Sequence, residues 1–553
     1  MSTMPENVGQ RRQYNMRYVW TICLVAALGG LMFGYDWIVI SGTKPFYERF
    51  FSLGTAWATG WAMGSALVGC LIGAVLSGGL SDRVGRKRLL ILSGLVFVVS
   101  AVGTGLAGTF AAFNLWRVAG GIAIGLASNL SPMYIAEVAP AAVRGRLVSM
   151  NQLTIVIGIL LAQAVNYGIA WFGTYLDEAG MRYTPTHDTA LDARRVAEDL
   201  SWQVRPRDRA ALIDEFTALA VKQSRPEVRG LSLQAVKDMV ETMNAQRPKD
   251  KLKVDDLGVV LALNGKTSRN VEFGWRWMFG VTAVPAALFF LLTFFIPESP
   301  RWLVKNGRAS EARSILARIG GEAFAAQEVH NIERTLAGEI ERVNFRDLLE
   351  PRMLKILALG VILAVLQQWC GINVIFYYAA DLFRAAGYGV ADALLIIVII
   401  GSVNLAFTVA AIYSVDRFGR RILMLLGFAG LTVLHVLMGV SYYSGQSGAY
   451  TLVLALAAIG CYALSLAPVT WVVLSEVFPN RIRGAAMSVS VFSLWTACFI
   501  LTFTFPLLDE SLGTAQTFWI YAAVCVFGFF FVASRLPETK GKTLEELEKE
   551  LVG

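Results

Sequence analysis

With 553 residues, 55% of them hydrophobic and only 16% charged, the chain is too apolar for an ordinary soluble domain, which carries about 25% charge. Its mean hydropathy of +0.54 makes the lipid bilayer its expected solvent. The formal charge of +8 does not call for nucleic acid, because the basic residues gather in short loops between apolar runs, where membrane topology accounts for them.

A spanning helix needs roughly 20 apolar residues. Residues 1–17 are polar and basic, and the run that follows, 18–40, is too long and unbroken for a cleaved leader, so it is expected to remain as a first helix. Runs at 57–80, 89–110, 113–136 and 147–172 come next, and the pattern resumes at 275–296, 353–380, 391–415, 422–443, 450–474, 485–508 and 514–534. These are twelve expected spans by that length rule. Cys23, Cys70, Cys370, Cys461, Cys498 and Cys525 all lie inside them, which suits packing and suggests neither a disulfide framework nor a metal site.

Positive charge alternates from loop to loop. Arg83, Arg86, Lys87 and Arg88 follow the second run, Arg144 and Arg146 the fourth, Arg417, Arg420 and Arg421 the eighth, and Arg481 and Arg483 the tenth. The connections near Thr109, Gly448 and Gly513 are nearly free of it, so the basic loops and both termini are expected in the cytoplasm, with the chain in the inner (plasma) membrane. Residues 1–172 then form five helices, 173–270 an external (periplasmic) insertion, and 271–297 the sixth helix. Cytoplasmic linker helices at 298–352, a second six-helix half at 353–535 and a cytoplasmic tail at 536–553 complete the order. The insertion mixes acids and bases almost evenly; restriction of access and binding of a partner are both open to it.

The halves repeat each other. SDRVGRKRLL at 81–90 returns as VDRFGRRILM at 415–424, and AEVAPAAVRGR at 136–146 returns as SEVFPNRIRGA at 475–485. The expected fold is therefore an all-α membrane protein with twelve helices in two six-helix halves and a solute site near the midplane between them. The repeats put Asp82, Arg86, Glu137 and Arg144, and their counterparts Asp416, Arg420, Glu476 and Arg483, at the cytoplasmic ends of spans. A single such pair would merely anchor a helix end at the interface; the duplication favours a latch on the cytoplasmic gate.

Two groups of polar residues stand inside the apolar runs. Asp36 is the one carboxylate well inside the first run, where an unpaired acid costs roughly 2.5–3.5 kcal/mol, and Arg117 near the start of the fourth run lies at similar depth. In the seventh run, LQQWCGINVIFYY, Gln367, Gln368, Asn373 and Tyr377 offer amides and a phenol that donate and accept as sugar hydroxyls do. They do not share one ideal helical face, but a break at Gly371 lets them converge. Interhelical hydrogen bonding is the plainer use of such groups; four in one apolar helix favour a solute site.

Together with the repeats, RVAGGIAIG at 117–125, PESPRWL at 297–303, QQWCGINVIFYY at 367–378 and PETKGKTLEELE at 537–548 resemble, in this order, the sugar porter family of the major facilitator superfamily. The motifs are closest to those of bacterial proton-coupled xylose and hexose symporters. The resemblance covers nearly the whole chain except the insertion. It implies a monosaccharide:proton symporter working by alternating access, with the proton as coupling ion and no other cofactor. Proton-coupled members carry an Asp at the Asp36 position and an Arg at the Arg117 position, and facilitative members lack the acid, so the pair is expected to load and release a proton. A permanent structural ion pair is the alternative. The resemblance also implies that Asn404, Trp471 and Trp495 complete the sugar pocket. Two positions depart from the family: Ile159 and Leu494 stand where polar side chains are usual, and Gln163, one turn beyond Ile159, partly compensates. The expected partners are a small sugar and the bilayer, with no nucleic acid and a monomeric state.

A facilitative sugar uniporter is the rival with the same fold, and Asp36 argues against it. A non-transporting nutrient sensor is the rival of another class, and the short tail after Ser534 argues against that. An enzyme or ATP-driven pump is not expected: there is no G-x-x-x-x-G-K-[ST] phosphate loop, and His187, His330 and His435 are isolated.

Overall fold

The computed structural model describes residues 14–140, 143–179, 188–204, 208–223, 231–246, 252–338, 350–445, 448–478 and 483–540. Among them are twelve helices long and apolar enough to cross a membrane: Met16–Phe50, Ala56–Val84, Arg86–Leu106, Phe110–Val138, Arg144–Ala179, Asn270–Thr293, Pro351–Tyr377, Val390–Ala411, Arg420–Ser444, Ala449–Leu474, Ala485–Ser511 and Thr514–Arg535. They are called the first to twelfth spans below. Two run well past their apolar stretch. The first continues through Lys44 and Glu48 to Phe50, and the fifth continues past residue 172 to Ala179. Asp36, expected well inside the first run, lies in the interior of this longer helix.

Small residues let the spans approach closely, since inside a bilayer van der Waals packing holds helices together. Gly69 and Gly73 of the second span meet Gly121 and Gly125 of the fourth so closely that added Cβ atoms would run into the facing main chain. Gly34 and Gly158 do the same between the first and fifth spans. The halves meet along two further lines. Gly60 of the second span abuts the Phe503 carbonyl of the eleventh, and Gly401 of the eighth abuts the Gln163 side chain of the fifth.

Three spans are interrupted, each for a local reason. In the seventh, Gly371 takes φ of +85°, ending one helical segment at Trp369 and starting another at Ile372. That is left-handed backbone, which glycine adopts without steric penalty. In the sixth, Pro285 has no N–H for the Val281 carbonyl, which instead accepts from Val284 N at 3.0 Å in a tighter turn. In the tenth, Pro468 breaks the ladder one turn earlier, at Ser465, whose hydroxyl donates to the Cys461 carbonyl at 2.6 Å.

The loops repeated in sequence lie at one end of the bundle, called the basic end. There the linker forms helices Pro300–Lys305 and Ala309–Gly338, the second kinked at Gly321 with φ of +83°. It docks beneath the first span: Asn15 N donates to the Ile319 carbonyl at 2.8 Å, and Arg318 lies over the Tyr18 ring at 4.4 Å. At the other end, between the fifth and sixth spans, helices Thr189–Ser201, Arg209–Gln223, Leu233–Gln246 and Asp256–Leu263 surround a small apolar core. This is called the insertion end. Asp188 and Asp255 cap two of these helices by accepting from Leu191 N and Leu257 N.

Candidate transport site

Arg117 and Asp36 are buried side by side, 2% and 3% exposed. The guanidinium reaches the Asp36 carboxylate from Nη1 at 3.1 Å and the main-chain carbonyl of the same residue from Nη1 and Nη2 at 3.4 and 3.3 Å. Its plane also lies over the Phe279 ring at 5.2 Å. The second carboxylate oxygen, Oδ2, is buried with no hydrogen-bond partner among the described residues, and the space beside it exists because residue 120 is glycine: a Cβ there would stand 3.2 Å from Oδ2. One carboxylate oxygen is thus held by the arginine while the other is not engaged by it.

In the seventh span the break at Gly371 brings the polar groups together. Gln367 Nε2 donates to the Tyr462 hydroxyl at 2.5 Å, Gln368 Nε2 donates to Gln367 Oε1 at 2.7 Å, and Asn373 Nδ2 donates to Gln368 Oε1. The chain of amides crosses the break, which an unbroken helix would not permit for residues five apart. Tyr377 packs edge-on against Trp37 of the first span with ring centroids 4.9 Å apart, and Trp495 lies 5.7 Å from Phe33. Both contacts join the two halves.

Several buried polar atoms along this seam have no hydrogen-bond partner among the described residues: both amide atoms of Gln163, and Nε1 of Trp37 and of Trp495. Such buried groups normally find partners. Gln163 lies against Gly401, one turn from Asn404, which is buried. Ile159 and Leu494 are buried apolar side chains, 5% and 2% exposed. Trp471 is 37% exposed, and its indole makes no ring contact with the other expected pocket residues.

At the basic end the acid and base groups pair within each half. Arg86 bonds Glu137 at 3.0 Å and Asp82 at 3.1 Å, and Asp82 also takes Lys305 of the linker at 2.6 Å. Arg420 bonds Glu476 at 3.1 Å. The partner of Glu137 is Arg86; the side chain of Arg144, one of the expected gate residues, is exposed. The side chains of Asp416 and Arg483 lie outside the described residues.

Groups to which the sequence alone attached no role complete these clusters. Glu298 accepts from the main-chain N–H of Arg86 and Lys87 at 3.0 and 3.1 Å, while Ser299 donates to Glu137 at 2.5 Å. In the other half Glu538 accepts from Arg420 N and Arg421 N at 2.9 and 3.1 Å, while Thr539 donates to Glu476 at 2.6 Å. PESP and PETK are thus a third repeated element, visible in the sequence as an acid followed by a hydroxyl residue. Each acid caps the first turn of a span, where unbonded N–H groups favour negative charge. At the insertion end Lys44 of the first span bonds Glu48 at 3.0 Å and Asp381 of the second half at 2.6 Å, and Ser41 donates to the Phe376 carbonyl at 2.7 Å. Tyr462, Trp37 and Phe33 carry no motif; only the folded geometry brings them to the site.

A family model described as sugar (and other) transporter matches residues 22–187 and 257–551. The D-xylose-proton symporter of Escherichia coli (strain K12) is 35% identical, with 97% of this chain and 96% of that protein covered. The arabinose-proton symporter of Bacillus subtilis (strain 168) is 32% identical, with 98% and 97% covered. Among solved structures, the xylose transporter XylE from E. coli in a partially occluded inward-open conformation superposes with a TM-score of 0.70 at 32% identity, covering 95% of this chain and 100% of that one.

Proposed function

The chain belongs to the family of sugar and other transporters, and we propose that it is a monosaccharide:proton symporter that works by alternating access. The observation that carries this is the Asp36–Arg117 pair, buried inside the membrane span beside the polar seam where the halves meet. The two relatives reported above are named as proton symporters of pentoses, which supports the same solute class here.

Asp36 is the proton carrier in this scheme. With its Oδ1 and main-chain carbonyl holding Arg117, Oδ2 takes the proton, and protonation removes the charge that keeps the pair locked. Gln163, Gln367, Gln368, Asn373, Tyr377, Asn404 and Trp495 bind the sugar, with the amides replacing water around its hydroxyls. Trp471 closes the pocket when the tenth span moves about its Ser465 break. Ile159 and Leu494 reduce the polar contacts available and so favour a sugar with fewer hydroxyls to satisfy.

The basic end faces the cytoplasm, with both termini there and the chain in the inner membrane as a monomer. The Lys44–Asp381 pair and the Trp37–Tyr377 contact hold the insertion end shut, which corresponds to a state closed to the outside. The charged clusters of the basic end, Asp82–Arg86–Glu137 and Arg420–Glu476 with Arg144, Asp416 and Arg483, become the latch of the cytoplasmic gate when the halves close there. The facilitator and sensor alternatives are not favoured, since neither gives the buried acid a task.

Uptake of labelled D-xylose and L-arabinose into cells lacking their own carriers, with and without a protonophore, tests the assignment. Accumulation that collapses with the gradient supports symport; mere equilibration in both conditions refutes it.

A further inference from the structure

Residues 188–256 fall in the gap between the two stretches that the family model matches, and no step above uses them. The described residues among them, 188–204, 208–223, 231–246 and 252–256, are nonetheless built into the bundle. Gln203 and Lys253 exchange hydrogen bonds at 2.7 and 2.8 Å, tying the end of the first insertion helix to the segment before the last. To the first half the unit is joined by Asp199, which bonds Arg49 of the first span at 2.6 Å, and by Arg209, whose Nη1 donates to the Leu53 carbonyl at 3.0 Å. To the second half it is joined at Trp202, whose carbonyl accepts from Arg384 Nη2 at 3.0 Å. The indole of Trp202 lies 3.8 Å under the Arg209 guanidinium, which helps to hold Trp202 in place.

Arg384 stands on helix Ala379–Ala385, the outer continuation of the seventh span, three residues beyond Asp381. When the insertion end opens, Lys44 and Asp381 separate, and whatever else spans the same boundary must give. The unit is continuous in sequence with the fifth and sixth spans and holds the first half by an ion pair and a charged hydrogen bond, so it moves with that half. The Arg384–Trp202 bond, which crosses to the other half, then breaks.

We propose that the 188–256 unit is a clasp on the outer gate: it rides on the first half, grips Arg384 of the second half through the Trp202 carbonyl, and stabilises the state closed at the insertion end. This rests on alternating access but not on which solute is carried. Its consequence is kinetic, because a carrier with the clasp reopens to the outside more slowly than one without it.

The test uses the full-length protein in lipid, with its native cysteines replaced and nitroxide labels at the exposed positions Ala111 and Ala391, one in each half at the insertion end. Pulsed electron-spin distances then report the closed and open populations directly. Arg384→Gln is expected to raise the open-to-closed ratio on the order of threefold to tenfold, as is Asp199→Asn. The charge-swapped double variant Arg49→Asp with Asp199→Arg is expected to return the ratio toward that of the parent. An unchanged ratio in both single variants, or failure of the swap to restore it, overturns the clasp. If the parent shows one distance in every condition, with or without sugar and at either pH, alternating access itself fails and the clasp with it, an outcome distinct from the first.

Discussion

Arg117 holds Asp36 by an ion pair to the carboxylate at 3.1 Å and by two longer hydrogen bonds to the main-chain carbonyl of the same residue. The bonds to the carbonyl do not depend on the side chain, so replacing the carboxylate with an amide leaves that part of the anchoring in place. Asp36→Asn is therefore expected to insert and fold, to retain exchange of labelled sugar across the membrane, and to lose accumulation against a gradient; counterflow and uphill uptake measured on the same vesicles separate the two. Full accumulation by this variant would remove Asp36 from the coupling. At Ile159, one turn from the unpartnered Gln163 amide, an added hydrogen-bonding group has a place to act. Ile159→Gln should lower the half-saturating concentration for a pentose about fivefold, roughly 1 kcal/mol, as read from uptake kinetics. Both acid and base were legible in the sequence because charge inside a span is costly. Their contact was not, since equal depth fixes only one coordinate of a side chain.

Among the elements, the broken seventh span has the clearest physical cause. Gly371 combines positive φ with a close approach to Tyr521, whose side-chain atoms would lie 2.7–2.9 Å from an added Cβ. Gly371→Ala costs about 1–2 kcal/mol for the backbone alone. It is expected to weaken binding of labelled sugar by roughly tenfold through misplacement of Asn373 relative to Gln368, as read by equilibrium binding. Unchanged affinity would disconnect the break from the site. The repeated caps at the basic end give a pH-dependent prediction. Burial acts to raise the Glu538 pKa, but the N–H groups of Lys540, Arg420, Arg421 and Thr539 outweigh it and hold the carboxyl below its ordinary value of 4.5. A depressed pKa contributes stability that is fully present above that ordinary value and is lost as pH falls through the lowered one. Hydrogen exchange at the Arg420 and Arg421 amides, corrected for intrinsic rates, should be slow at neutral pH and speed up below about pH 4.5. Glu538→Gln should show the faster exchange already at neutral pH. The repeats exposed these motifs in the sequence, and the break at Gly371 was foreseen from the spacing of its polar residues. The interruptions at Val281 and Ser465 were not, although Pro285 and Pro468 each stand four and three residues beyond them. Proline is common enough in spanning helices that its presence alone does not mark a bend.

For the whole molecule, twelve spans, two halves and a polar seam followed from hydropathy and repetition, because the bilayer restricts the fold to closed helices of a set length. What the sequence left dark was the wiring between distant segments, above all the clasp between the insertion and Arg384, where no repeat or apolar pattern supplies a constraint. In this structure the Lys44–Asp381 pair joins the halves at the insertion end, while at the basic end Arg86–Glu137 and Arg420–Glu476 each pair within one half. Glu137 belongs to the cluster proposed to latch the halves when they close at the basic end, so Glu137→Gln should shift the carrier toward opening there, seen as faster labelling of a thiol placed in the cavity on that side; unchanged labelling would limit the cluster to anchoring helix ends. The most direct test of coupled transport uses purified protein in sealed vesicles with an imposed inward proton gradient and labelled D-xylose or L-arabinose outside. Internal sugar should rise above the external concentration and fall back when a protonophore is added, whereas entry that only equilibrates, or no entry under any gradient, would contradict proton-driven sugar transport by this chain.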